Sequence, residues 1–581
     1  MKARALLHGW RASAPAAHAR DGWRAEVPYL ALLLGAYVFP LALVSPRGEF
    51  GLVDGWAYAL AVRHLVDEGR LQISDWTATT LVAQVLWGAA FAKLFGFSFT
   101  VLRVSTLVLS FAGSAALYAI GRELAVIRPL ALVGALAYWL NPLAFSLSYT
   151  FMSDVPAVSL IVLATLCAVR GVRRDSTGYL LLGSGCAALA FLVRHPGILL
   201  PPAVLAYGLL ARWPARLLLR RAAAILVVPA LAVAGYLLWS MHRGVPQEQA
   251  RLLDLVLHTG PSLWRSALLL VGYLLLYLGA TAVPLTLGFG RAILRAAGPG
   301  WHSSRLVLLA WALAVGGLVL CLMWRGGQLP TYPRWMPYLR YGTMFQIAGI
   351  GPDDLLGRRP IFIALPGRIA LTVLAAGGLC GLGGSLLLRL LAARRRPPGS
   401  PGPIVVVALL GLSQFVGLLP TTAHVLVSSW VAFDRYFLPL VPFAIVLGLW
   451  AVRGLRPSPA LLLLGLLGLG LFSVVGTQDW LASNRLRWQL GRELLARGVP
   501  PERIDAGMEW DGWQLYERGR AFRAPPRTVD GPFWTQIIAP ETDSTYVVAY
   551  SPLPGYVVRE RRTYHSWLHG SPGYLYLLER P

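Results

Sequence analysis

Two acidic residues lie where hydrophobic segments of this chain end, and they are the residues best placed for chemistry. Asp54 lies in Gly-Glu-Phe-Gly-Leu-Val-Asp-Gly-Trp, directly after the first hydrophobic segment, and Asp154 lies in Tyr-Thr-Phe-Met-Ser-Asp-Val-Pro. Carboxylates beside a bilayer are costly to place, and a carboxylate can act as a general base. We therefore interpret both as candidate catalytic residues. The alternative is that each residue caps the N-terminus of the helix that follows it.

Two arginines also lie at segment boundaries, in Arg194-His195-Pro-Gly and in Phe-Asp-Arg435-Tyr436-Phe-Leu-Pro. Guanidinium groups match phosphate geometry and stay charged, so both motifs are candidate phosphate-binding sites. The alternative for Arg194 is a side chain that reaches the lipid headgroups, and for Arg435 an ion pair with its neighbour Asp434. Further candidate site residues are His424, Asp434 and Lys93.

The composition indicates what kind of secondary structure positions these residues. The chain has 581 residues, of which 56% are hydrophobic and 14% are charged, and its mean hydropathy is +0.58. Soluble proteins contain about 25% charged residues. Hydrophobic runs of about 17–25 residues, the length of a membrane span, recur along most of the chain. The sequence therefore predicts an α-helical polytopic membrane protein.

The positive charge indicates orientation rather than nucleic-acid binding. The net charge is +25, and nearly all the basic residues are arginines in short loops, for example 170–174, 212–221 and 394–396. Such loops are typical of the cytoplasmic side. This orientation places the N-terminus in the cytoplasm and the four motifs above at the outer face of the cytoplasmic membrane. The thirteen predicted spans are 27–45, 100–121, 130–148, 154–171, 178–193, 197–211, 222–241, 263–288, 306–324, 366–390, 403–420, 437–452 and 459–476.

Two regions are predicted not to span the membrane. Residues 46–99 form a first outer loop, in which 79–97 is an interfacial or re-entrant helix. This stretch contains Gln84 and Lys93, and counting it as a span would place Arg122 and Arg128 on the outer side. Residues 1–476 then form a transmembrane module, and 477–581 form a soluble extracytoplasmic α+β domain. Within that domain we predict an amphipathic helix at 480–498 and strands at 546–550 and 574–578.

No motif for nucleotide binding occurs in the chain. It has no phosphate-binding Gly-x-x-x-x-Gly-Lys loop, no dinucleotide glycine pattern and no nucleophile motif. The four cysteines, which lack metal-ligand spacing, are Cys167, Cys186, Cys321 and Cys380. No metal site is predicted.

Five short segments together resemble the GT-C superfamily of polytopic glycosyltransferases, which includes the protein O-mannosyltransferases and the lipid A aminoarabinose transferase. The resemblance depends on their order and spacing along nearly the whole chain. One is the first-loop acidic residue Asp54, although many relatives carry a second acidic residue where this chain has Gly55. The others are Phe-Met-Ser-Asp-Val-Pro (151–156), Leu-Val-Arg-His-Pro-Gly (192–197), Phe-Asp-Arg-Tyr-Phe-Leu-Pro-Leu-Val-Pro (433–442) and Ile-Asp-Ala-Gly-Met-Glu-Trp-Asp-Gly-Trp (504–513).

The resemblance implies that a sugar is transferred from a polyprenyl-phosphate carrier to an envelope acceptor, which is a lipid, a glycan or a protein. Asp54 would deprotonate the acceptor hydroxyl for an inverting attack, and Asp154 would orient the acceptor or the sugar. Arg194 and Arg435 would hold the carrier phosphate as charge develops on it. This mechanism requires no cofactor; a divalent cation is compatible with it but is not predicted. The alternative classes are a lipid or glycan flippase without transferase activity, and a non-catalytic scaffold.

Overall fold

The computed structural model describes residues 22–258, 262–296, 302–325, 344–394, 401–429, 433–518, 532 and 534–581. Most of them are helical, because long apolar segments satisfy their backbone hydrogen bonds internally only as helices. The helices are α1 Val27–Val38, α2 Gly55–Asp67, α3 Val82–Phe95, α4 Phe99–Glu123, α5 Arg128–Trp139, α6 Pro142–Ser148, α7 Asp154–Arg173, α8 Thr177–Val193, α9 Leu200–Leu210, α10 Ala215–Arg243, α11 Gln247–His258, α12 Ser262–Ala296, α13 His302–Arg325, α14 Leu365–Arg394, α15 Ile404–Ser429, α16 Val441–Val452, α17 Pro459–Ala496 and α18 Met508–Leu515.

Most of the predicted spans coincide with helices long enough to cross a membrane. Among the described residues nine helices are long and apolar enough, and the number is ten if α5 and α6, which meet at a bend of 65°, form one span. The three other predicted spans fall on shorter apolar helices, Thr177–Val193, His195–Leu210 and Ile404–Leu418, so the predicted number of thirteen exceeds the number of helices of full length. The helix predicted within 79–97 is α3, which has 14 residues. At about 1.5 Å per residue it is shorter than the hydrocarbon core of a bilayer.

Charged residues mark one end of the helix bundle, which we call the basic end. Glu123, at the end of α4, accepts hydrogen bonds from Arg170 and Arg173 of α7 at 2.9 and 2.7 Å. Glu26 pairs with Arg122 and Arg128 in the same region. Because α4 and α7 run the length of the bundle, their first residues lie at the opposite end, which we call the site end.

The C-terminal residues form a small sheet at the site end. Its strands are β3 Ile504–Asp505, β4 Tyr546–Ala549, β5 Val557–His565 and β6 Pro572–Glu579, after a two-residue pair, β1 Phe345–Gln346 and β2 Gly349–Ile350. The order is β3-β4-β6-β5, with only the β3–β4 pairing parallel. Strands β4 and β6 correspond to the predicted strands at 546–550 and 574–578.

One predicted boundary inside this region is wrong. The amphipathic helix expected at 480–498 does not begin separately after the last span, because α17 runs without a break through Pro459–Ala496. It has no internal proline, and its polar residues after Thr477 are as compatible with a helix as the apolar residues before them. The helix therefore connects the bundle rigidly to the C-terminal sheet.

Candidate active site

Asp54 lies at the start of α2, and both of its carboxylate oxygens are engaged. Oδ1 accepts a hydrogen bond from Trp76 Nε1 at 2.9 Å, and Oδ2 accepts one from Arg435 Nη2 at 3.0 Å. The side chain makes no hydrogen bond to the backbone of the helix it precedes. The capping interpretation of Asp54 is therefore wrong. Its partners come from the first loop and from the segment before α16.

Asp154 is the first residue of α7, and its side chain is buried. Oδ1 accepts a hydrogen bond from Arg194 Nη1, and Oδ2 has no hydrogen-bond partner among the described residues. Arg194 follows the last residue of α8 in an extended conformation, which directs its side chain back toward α7. A buried ion pair with a free acceptor oxygen can also bind a hydroxyl group.

Tyr436 brings the two ion pairs together. The centre of its ring lies 5.1 Å from the Cζ atom of Arg194 and 5.7 Å from that of Arg435. Arg435 is buried, and its Nε and Nη1 groups have no acceptor among the described residues. Buried donors without partners are costly, so they favour an anionic ligand. We call Asp54, Asp154, Arg194, Arg435 and Tyr436 the double-pair cluster.

Tyr58 of α2 lies within the electrostatic range of the whole double-pair cluster. Burial, and then the negative charge of Asp54, raise the pKa of its phenol above the usual range, while Arg194 and Arg435 act in the opposite direction. The phenol therefore stays neutral at physiological pH. It can act as a hydrogen-bond donor to a ligand that contacts these charges.

Sequence reasoning missed three residues around Asp54. Trp76 and Tyr58 show no motif of their own, although an indole and a phenol flank the predicted base. Glu248 belongs to α11. Its backbone N–H donates a hydrogen bond to the Asp75 carbonyl at 3.0 Å, and this bond joins α11 to the first loop. The pKa of Glu248 is raised mainly by burial, and the negative charge of Asp54 raises it further. The two carboxylates therefore interact. The amphipathic pattern of 247–258 was the available signal.

The remaining candidates do not join the double-pair cluster. The carboxylate of Asp434 accepts backbone N–H bonds from Met344 and Phe345 at 2.9 and 2.8 Å, so it anchors β1. Because the Arg435 side chain pairs with Asp54, the alternative interpretation of Arg435 as the ion-pair partner of Asp434 is wrong. His195 is exposed and packs against the ring of Phe191. Lys93 is exposed in the last turn of α3.

The side chain of His424 lies outside the described part of the structure, although its helix, α15, is described. Among the described residues there is no group of three or more His, Cys, Asp or Glu side chains that could hold a metal ion. The chemistry that this arrangement supports consists of a carboxylate near hydrogen-bond donors that can hold an anion.

One family model matches part of the chain. Residues 85–239 match the family model described as dolichyl-phosphate-mannose-protein mannosyltransferase. No curated protein sequence matches the chain. The matching segment contains Asp154 and Arg194, which form one of the two ion pairs of the double-pair cluster.

Solved structures of two glycosyltransferases are distantly similar to this chain. ArnT from Cupriavidus metallidurans bound to undecaprenyl phosphate is 15% identical, over 96% of this chain and 98% of that chain, with a TM-score of 0.36. Arabinosyltransferase EmbB from Mycobacterium smegmatis is 13% identical, over 84% of this chain and 45% of that chain, with a TM-score of 0.29. The family match covers residues 85–239, about a quarter of the chain, and it agrees with the glycosyltransferase resemblance that the motifs carry. The many-span helical architecture agrees with the predicted fold class.

Proposed function

We propose that this protein transfers a sugar from a polyprenyl-phosphate carrier to an acceptor hydroxyl, with Asp54 as the general base. The observation that carries the proposal is the double-pair cluster, in which a carboxylate lies beside a buried guanidinium with unused donors. The matching family model is named for a lipid-phosphate sugar donor, which is the same donor chemistry. A general base and an anion site side by side are the two parts that such a transfer needs.

The proposed step is a single displacement at the anomeric carbon. Asp54 takes the proton of the acceptor hydroxyl, and the acceptor oxygen forms the new bond to the anomeric carbon. The bond from that carbon to the phosphate oxygen breaks at the same time, and its electron pair leaves with the polyprenyl phosphate. Attack from the side opposite the leaving group inverts the anomeric configuration.

Arg435 has separate donors for its two partners in this step. Its Nη2 group holds Asp54, while Nε and Nη1 have no protein acceptor and are available to the carrier phosphate. A positive charge fixed beside the phosphate stabilises the leaving group without reorganisation. Arg194 adds a second positive charge, and Asp154 offers Oδ2 to a hydroxyl of the sugar or the acceptor.

We further propose that the site end faces outward from the cytoplasmic membrane. The basic end carries Arg122, Arg128, Arg170, Arg173 and Arg174, and clustered arginines favour the cytoplasmic side. Because cytosolic nucleotide sugars are absent on the outer side, a lipid-linked sugar is the donor that can reach the site. The acceptor is then a lipid, a glycan or a protein of the envelope.

The test is the release of free polyprenyl phosphate by the purified protein. Each of a panel of polyprenyl-phosphate sugars is incubated with a crude envelope extract as the acceptor source. Asp54→Asn is compared with Asp67→Asn, an exposed residue at the end of the same helix. We expect release by the wild type and by Asp67→Asn, and release slower by about 10²-fold or more from Asp54→Asn.

Two results would contradict the proposal. Equal release by Asp54→Asn would exclude Asp54 as the base. Movement of a labelled lipid-linked sugar across proteoliposomes, without release from any donor, would indicate a flippase instead.

A further inference from the structure

The residue before the proposed base has an unusual backbone conformation. Val53 has φ of 52°, in the left-handed region that β-branched residues rarely adopt. Its side chain is buried, so it cannot relax toward solvent. A strained conformation persists only where the surroundings hold it, so the contacts of the Val53 backbone identify what holds it.

Glu509 from α18 makes the contact that holds this backbone. Its Oε1 atom accepts a hydrogen bond from the Val53 N–H at 2.9 Å, across 456 residues of sequence. Its Oε2 atom accepts one from Arg487 Nη2 at 2.8 Å. The exposed fraction of Glu509 is 0%, so water does not compete for either bond. The carboxylate therefore links α17, α18 and the loop that ends at Asp54.

A neighbouring acid keeps this carboxylate in place. Burial, and then the nearby charge of Glu509, raise the pKa of Asp354 well above its usual range. A carboxyl group that keeps its proton can act as a hydrogen-bond donor toward Glu509. With Arg487 on the other side, the carboxylate is held by groups that act only as donors toward it.

The helix that carries Glu509 has no room to move relative to the first loop. A Cβ atom on Gly512 would lie 2.6 Å from the ring of Trp56, so α18 and α2 are in direct contact. The ring of Trp56 also lies 5.3 Å from that of Tyr516, which follows α18. This packing fixes the distance over which Glu509 reaches Val53.

We propose that Glu509 is a positioning residue, which holds the Val53–Asp54 backbone so that the Asp54 carboxylate faces Arg435 and Trp76. The inference rests on the proposed role of Asp54, and it makes the C-terminal region part of the active site. Glu509 touches neither Asp54 nor the reacting atoms. Its effect therefore falls on the rate of the chemical step and not on donor binding, which involves Arg194 and Arg435.

The first variant is Glu509→Gln. The glutamine amide has one acceptor oxygen, and the charged Arg487 binds it. The NH₂ group of the amide then faces the Val53 N–H, so the hydrogen bond to Val53 is lost. We expect kcat to fall by about 10²-fold, the cost of a small misplacement of a catalytic group, while the KM for the donor stays unchanged. The matched control is Asp511→Asn, a buried carboxyl on the same helix that bonds the Ala506 N–H instead.

The second variant separates positioning from folding. Glycine adopts positive φ without a Cβ penalty. In Val53→Gly the backbone at position 53 therefore no longer needs the hydrogen bond from Glu509 to keep its conformation. We expect Val53→Gly combined with Glu509→Gln to recover part of the lost kcat. Hydrogen exchange of a peptide covering 50–56 should be faster in Glu509→Gln than in the wild type and in Asp511→Asn.

The outcomes are distinct for the two proposals. Unchanged exchange at 50–56 in Glu509→Gln, or a kcat equal to that of the wild type, would overturn the positioning role. Loss of kcat without any recovery by Val53→Gly would also overturn it, because that indicates misfolding. Full activity of Asp54→Asn would overturn the role of Asp54 as base, whereas the exchange result measures the anchoring of the loop independently.

Discussion

At the scale of single residues, the site depends on how buried charges share their hydrogen bonds. Arg435 satisfies Asp54 with one terminal nitrogen and leaves two donors unpaired in a buried environment. Leaving such groups unpaired costs free energy, which a bound anion would offset. The planar guanidinium presents these donors in fixed directions, so one residue can contact Asp54 and a bound anion together.

The substitution Arg435→Lys tests this double role. Lysine keeps the charge but concentrates it on one ammonium group, which cannot bond both a carboxylate and a phosphate in the same geometry. We expect kcat/KM for the donor to fall by about 10²-fold in the polyprenyl phosphate release assay. Arg559→Lys, on an exposed residue of β5, should match the wild type. Activity within about twofold of the wild type for Arg435→Lys would contradict the planar contact.

At the scale of elements, the break between α5 and α6 brings the chain to Asp154. Asn141 lies at the break and accepts the Leu143 N–H at 3.0 Å and the Tyr277 hydroxyl at 3.1 Å. Its Nδ2 group donates to Thr281 at 3.1 Å. One side chain therefore caps α6 and connects the bent span to α12. The turn at 149–153 after α6 then leads directly into α7.

Asn141→Ala should destabilise the protein. It removes a helix cap, worth about 0.5–2 kcal/mol, and takes the acceptor of the buried Tyr277 hydroxyl away, at about 1–3 kcal/mol. The Thr281 hydroxyl keeps its bond to the Tyr277 carbonyl at 3.1 Å. We expect a clear drop in the thermal unfolding midpoint in detergent. Ser385→Ala is the control, because Ser385 bonds only a carbonyl of its own helix at 2.8 Å. A midpoint equal to that of Ser385→Ala would show that the cap is dispensable.

At the scale of the whole molecule, buried acids of the C-terminal region link stability to pH. Burial, and then the nearby Asp505, raise the pKa of Asp511 well above its usual range. The folded state thus keeps a proton that the unfolded state loses above about pH 4. The stabilising contribution is complete below that pH and is lost as the pH rises toward the folded pKa, by up to about 1.4 kcal/mol per pH unit.

Asp511→Asn should therefore reduce the pH dependence of unfolding. Asparagine cannot ionise, so this contribution no longer declines as the pH rises. We expect the unfolding midpoint of the variant to change less between about pH 5 and pH 8 than that of the wild type. Asp67→Asn should retain the slope of the wild type, since Asp67 is exposed. An unchanged slope for Asp511→Asn would show that Asp511 is not the group that titrates.

Orientation in the membrane is a second property of the whole molecule. In a variant without its four cysteines, Arg559→Cys places a thiol on β5, and Arg174→Cys places one at the basic end, where Arg174 is half exposed. A membrane-impermeant maleimide added to intact cells should label position 559 alone. Labelling of both positions is expected after permeabilisation. The reverse pattern in intact cells would place the site end in the cytoplasm.

The sequence by itself determined the many-span helical class, the strands β4 and β6 and the identities of the charged candidates. These features are local. Hydropathy over about twenty residues specifies a span, and the alternation of apolar and polar residues specifies a strand. The helix at 480–498 was predicted wrongly as a separate element, because hydropathy falls after Thr477 while helix propensity does not. A change in polarity alone therefore does not mark the end of a helix.

Only the tertiary structure decided which charges meet. Asp54 and Arg435 are 381 residues apart in sequence, and local reasoning offered Asp434 as the partner of Arg435. Glu509 and Val53 each lie in a segment that the sequence singles out, but nothing in either segment indicates that the two residues meet. Such pairings depend on which helices pack together, and packing is set by the complementary shapes of buried side chains such as Trp56 against Gly512. That complementarity exists only once the whole bundle has formed.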